Sequence, residues 1–126
     1  MDVLLVEPDR VLAGSYRQKL RAAGHRVVHV STAQAAVQAA DKKCPECIVL
    51  NVNLPRHNGI EFLYEFRSYP EWQDVPVVLL VARINQELAE SEILREQLGV
   101  RQVLTVSHTS LAALCAAVDA AGQPVA

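Results

Sequence analysis

Apolar residues gather in five short runs along the chain, at 3–6, 27–30, 47–50, 77–81 and 103–106. The runs are mostly continuous rather than alternating and rich in valine. That is the pattern of strands covered on both faces in a parallel sheet. The segments between them change period. Residues 10–23 place Leu12, Tyr16, Leu20 and Ala23 on one helical face and stop at Gly24. Residues 32–40 are alanine-rich, with Ser31 as the expected cap. Residues 59–68 turn Ile60, Leu63 and Phe66 inward and end at Pro70. Residues 86–98 are highly charged over a weaker stripe of Leu88, Leu94 and Leu98, and end at Gly99. Leu111, Leu114, Cys115 and Val118 have the spacing of a last amphipathic helix. Five strands alternating with five helices predict a doubly wound α/β sandwich. The 126 residues suffice for one domain and not for two, placed at 1–121, with 122–126 as a tail or the start of a linker.

Composition narrows the function classes. Hydrophobic residues make up 51% of the chain, so it is not a disordered segment. A net charge of -2 gives no general attraction to polyanions. Direct nucleic-acid binding and membrane association are therefore not expected. The N-terminus, MDVLLVEPDR, lacks the basic region of a signal peptide, and a cytoplasmic location is expected. Three cysteines argue against a disulfide framework. Cys44 and Cys47 form a C-x-x-C, but the pair precedes a strand rather than opening a helix, and no further zinc ligands lie nearby. Its expected role is structural.

In a sheet of this type the carboxyl ends of the strands form the functional edge. Glu7-Pro8-Asp9, Asn51, Val81-Ala82 and Val106-Ser107 meet there. Over residues 2–121 the chain resembles the receiver domain of bacterial two-component response regulators, the CheY-like family. VLLVEPD resembles the family's first strand and acidic pair, and CIVLNVNLPRHNG its acceptor strand and loop, with Pro55 and Gly59 in place. DVPVVLLVAR and LGVRQVLTVS resemble its fourth and fifth strands. The resemblance implies a flavodoxin-like sandwich with a five-stranded parallel sheet in the order 2-1-3-4-5.

It also implies phosphoryl transfer from a histidine kinase to an aspartate, and here the chain departs from the pattern. The acceptor aspartate falls on Asn51, whose carboxamide is neither an acid nor a good nucleophile. The acidic pair that holds magnesium falls on Glu7-Pro8, the hydroxyl residue on Val81, the lysine on Val106 and the aromatic switch residue on Val103. Nucleophile, metal ligand, hydroxyl and counter-charge are lost together. A degenerate pseudo-receiver, non-enzymatic and without metal or cofactor, is the implied state. The family's partner or dimer face, the fourth helix, fifth strand and fifth helix, would here include Glu92, Arg95, Arg101 and Val103. Its occupant is a protein partner or a fused output domain, a homodimer being one form.

Blander and sharper alternatives stand beside this. Asp9 could be a displaced acceptor or metal ligand, as could Glu7, which would leave a phosphotransfer-competent receiver; the commoner role of an Asp at that place is an N-cap. The uncharged pocket could instead bind a small ligand. His25, His29, His57 and His108 raise no strong case for a metal or a phosphohistidine. Trp72 is expected to pin its loop to the body. The peptide bond before Ser107 is expected to be trans, with Thr109 or Ser110 capping the last helix.

Overall fold

The computed structural model describes residues 1–83, 90–107 and 109–123. Seven strands are present among them: β1 (Asp2–Val6), β2 (Arg26–Val30), β3 (Cys47–Asn51), β4 (Asn53–Leu54), β5 (His57–Asn58), β6 (Val77–Val81) and β7 (Val100–Thr105). The five long ones form a parallel sheet in the order β2-β1-β3-β6-β7, which is 2-1-3-4-5 counted over long strands alone. The helices are α1 (Arg10–Ala22), α2 (Ala33–Lys42), α3 (Gly59–Arg67) and α4 (Leu111–Ala121).

Both faces of the sheet are covered, which explains the continuous apolar runs. On one face Val3, Leu5, Val49, Val78 and Leu80 pack against Tyr16 and Leu20 of α1 and Leu114 and Val118 of α4. On the other, Leu4, Val6, Ile48, Leu50 and Leu79 meet Ala36 of α2, Phe62 and Phe66 of α3, and Leu94 and Leu98. Each fully buried aliphatic side chain contributes about 1.5–3 kcal/mol by leaving water. No helix of the described residues is long and apolar enough to cross a membrane.

Local chemistry refines several expectations. Thr32, not Ser31, caps α2, its hydroxyl accepting from the Ala35 N–H at 3.1 Å. The fifth long strand begins at Val100 rather than Val103, because Val100 is buried against the core and pairs with Val77. Residues 86–89 of the charged helix lie outside the described residues. Its later part is a π-helical turn, Ile93–Gln97, that buries Leu94 and leaves Ile93 exposed. The β4–β5 hairpin is an addition to the five strands that the apolar runs predict. Pro55 and Arg56 turn it, Arg56 at φ 64, the positions where a type II turn takes proline and a positive φ.

The loop after α3 is held from inside. Trp72 is 3% exposed and stacks on Phe66 with ring centroids 4.8 Å apart, as expected of a pin. The Arg67 guanidinium donates to the carbonyls of Trp72, Val75 and Leu98, tying α3 to the segments that lead into β6 and β7. Gly99 sits at φ 68, and a Cβ there would strike that guanidinium.

Candidate functional site

Glu7 leaves the end of β1 with its backbone N–H still bonded to the Val30 carbonyl at 3.0 Å, so the side chain continues the alternation of the strand into the sheet. It is fully buried. Across from it, Asn51 ends β3. The Asn51 Nδ2 donates to both carboxylate oxygens of Glu7, at 3.1 and 3.0 Å, and the Asp9 N–H donates to Oε2 at 3.1 Å. The Asn51 Oδ1 in turn accepts from the Asn53 N–H at 2.9 Å. A carboxylate can only accept and a backbone N–H can only donate, so the orientation of this amide is fixed by its partners.

His29 closes the network from below, its Nε2 donating to the Glu7 carbonyl at 2.8 Å. Sequence reasoning gave this histidine no role. The signal lay in the period of two: Leu5 pairs with His29 in the sheet, and Glu7 is two residues beyond Leu5. Burial pushes the Glu7 carboxyl above its ordinary value of 4.5, while the bonds from Asp9 and Asn51 pull the other way.

Of the remaining predicted positions only Asp9 is acidic, and Val81 and Val106 are aliphatic. Asp9 is the N-cap of α1, its Oδ1 accepting from the N–H groups of Val11 and Leu12 at 2.9 and 3.0 Å. Val81 is buried, and its carbonyl accepts from the Val106 N–H at 2.9 Å. Val106 is partly buried and packs toward the core beneath α1 and α4. No peptide bond among the described residues is cis, the one before Ser107 included. Ser110 caps α4 by accepting from the Ala113 N–H at 3.0 Å. His57 is exposed on β5, and His108 lies outside the described residues. Pro8, Asn53, Arg56, His57 and Glu61 line an open depression beside the site.

Away from this edge, Glu92, Arg95 and Arg101 are exposed and Val103 is partly buried. Arg95, Arg101 and Val103 line one depression of about 270 Å³ together with Ser91, Leu94 and Gln102. Cys44 and Cys47 are free thiols. Cys47 is wholly buried in β3, and burial pushes its thiol up to about 12, far from reactive thiolate chemistry. His25 bridges elements too: its Nε2 donates to Asp119 at 2.7 Å and its Nδ1 meets the Met1 ammonium at 3.1 Å.

A family model described as response regulator receiver domain matches residues 3–118. The KDP operon transcriptional regulatory protein KdpE of Escherichia coli (strain K12) is 35% identical over 82 residues, 65% of this chain and 35% of that protein. The response regulator MprA of Mycobacterium leprae is 31% identical over 83 residues, 66% of this chain and 36% of that protein. This chain spans about a third of the length of such curated relatives. Among solved structures, a putative response regulator from Chloroflexus aurantiacus superposes with a TM-score of 0.84 at 22% identity, covering 96% of both chains. The chemotaxis protein CheY4 of Vibrio cholerae gives 0.84 at 20% identity, over 95% of this chain and 97% of that one. At these identities the structural likeness establishes the fold.

Magnesium, which such a fold implies, prefers octahedral oxygen ligands and charged carboxylates. Here it would meet one carboxylate whose oxygens already accept from Asn51 and Asp9, and a proline where a second acid would stand. The donor set does not fit the ion.

Proposed function

The chain belongs to the response regulator receiver family, and we propose that it is a pseudo-receiver: a phosphorylation-independent protein-interaction module in bacterial signalling. One observation carries this. The residue at the acceptor position, Asn51, spends its amide on Glu7, so the would-be nucleophile and the remaining acid satisfy each other. The amide hydrogens take the place that a cation would otherwise fill between carboxylates. A non-enzymatic role without a cofactor is part of the same proposal.

A displaced acceptor finds no support in the geometry. Asp9 is held at the start of α1 by two capping bonds to its Oδ1, and Glu7 is fully buried and accepts three hydrogen bonds from Asn51 and Asp9. The interaction surface of this proposal is formed by exposed Glu92, Arg95 and Arg101 with partly buried Val103 beside them. Its partner is a protein or a fused output domain, in keeping with relatives that are transcriptional regulators of greater length. Amide NMR in beryllium fluoride and magnesium tests the proposal. Amide resonances of residues 7, 9, 51, 81 and 105–107 should stay in place. Saturable shifts there would show an acyl-phosphate mimic bound, and the proposal would be lost.

A further inference from the structure

Charge in this protein is sorted to one edge of the sheet. Residues 10–43 carry seven Lys and Arg against a single acid, Asp41, whereas the rest of the chain carries five against thirteen acids. The first segment is thus +6 and the remainder -8, inside a net of only -2. Residues 10–43 are not scattered in space. They are α1, β2 and α2, and β2 is the outermost strand, paired on one side only.

Arg10, Arg17 and Arg21 lie seven and four residues apart and so share one stripe of α1. The opposite flank, at Lys19, faces the α4 groove, so the arginine stripe faces the free edge of β2. Each of the three is exposed, and none is in an ion pair among the described residues. On the other face of the sheet Val28 stands 56% exposed, with Arg26 and Lys43 beside it, both partly neutralised by Asp2. In β2 the Arg26 N–H and the Val30 carbonyl bond toward β1. By the alternation of a parallel ladder, the backbone groups of Val27 and His29 point outward.

We propose that this edge docks an extended acidic protein segment as an added strand, with acidic side chains toward Arg17 and Arg21 and apolar ones over Val28. An open backbone edge supplies affinity without sequence, and the flanking charges choose the partner. Duplex DNA fits less well: it makes no use of backbone edge groups or of an exposed valine, and the -8 remainder of the molecule repels a long polyanion. The edge meets the site only where His29 and Val30 bond the Glu7 backbone, and the proposal does not rest on the state of Asn51.

The test is titration of the full chain with a peptide of about eight residues alternating glutamate and valine, followed by amide NMR and fluorescence anisotropy. A lysine–valine peptide and a duplex DNA are run alongside. The expected result is saturable binding of the acidic peptide with shifts centred on residues 26–30. Binding should weaken at least about tenfold in Arg17→Glu/Arg21→Glu and between about 0.05 and 0.5 M salt. Both arginines are exposed, so the variant should stay folded, and the dispersion of its spectrum checks this. Absent binding, binding indifferent to the charge reversal, shifts centred elsewhere, or the same loss seen only for DNA or for self-association would overturn the proposal.

Discussion

Asn51 shows how much one side chain decides. With its amide against Glu7, the buried carboxylate is served by donors on three bonds. Asn51→Asp would set two carboxylates in contact, repelling by about 4 kcal/mol at 4 Å and an effective dielectric near 20. The variant should lose about that much stability at pH 7. Because a raised carboxyl pKa costs stability only as pH climbs through it, the loss should shrink at pH 5. Urea unfolding at the two pH values checks this; a variant as stable as the parent at pH 7 would show that the site tolerates the paired charge. Glu7 itself makes a second prediction. Its pKa is raised by burial, so the stability it contributes is complete below 4.5 and is lost as pH rises through its folded value. Glu7→Gln removes that titration. The pH dependence of unfolding above pH 4.5 should flatten in the variant, and an unchanged slope would assign it to another group.

Among the elements, α3 and the loop that follows it rest on Arg67. Its four bonds to carbonyl oxygens satisfy groups on Trp72, Val75 and Leu98. Arg67→Met should cost about 3 kcal/mol, since each buried carbonyl left unpaired costs about 1–3 kcal/mol. Arg67→Lys should recover less than half of it, because an ammonium cannot reproduce the planar fork. Full recovery by lysine, read from thermal unfolding, would mean that charge alone matters. Gly59→Ala fails for a different reason: its Cβ would stand 2.7 Å from the Val52 Cα, where α3 presses on the turn after β3.

What the sequence revealed of these elements follows from how far their causes reach. Val77 to Val81 or Leu4 to Val6 announce a two-sided sheet because each residue carries the pattern itself. The apolar and capping positions of the helices are equally local. Arg67 looks like any exposed cation on a helix, since its partners lie 5, 8 and 31 residues away. The β4 and β5 strands have two residues each, too few to show a period. At the site, the loss of charge at Asn51, Pro8 and Val106 and of a hydroxyl at Val81 could be read position by position. The bond between Asn51 and Glu7 spans 44 residues and became visible only when β1 and β3 were laid side by side.

For the whole molecule, a closed and charge-poor edge predicts indifference to magnesium. A ligand that binds only the native state at ten times its Kd adds about 1.4 kcal/mol. In about 5 mM magnesium the melting temperature should match that in a monovalent salt of equal ionic strength. A rise of several degrees would reveal a metal site at Glu7 and Asp9. Phosphorylation is the sharper question, and intact mass spectrometry after incubation with acetyl phosphate and magnesium answers it most directly. The mass should not change, either for the parent chain or for Asn51→Asp, in which Pro8 and Val106 still supply neither ligand nor charge. A stoichiometric gain of about 80 Da on the parent chain, mapped to Glu7 or Asp9, would make this a working phosphotransfer receiver and contradict the pseudo-receiver assignment.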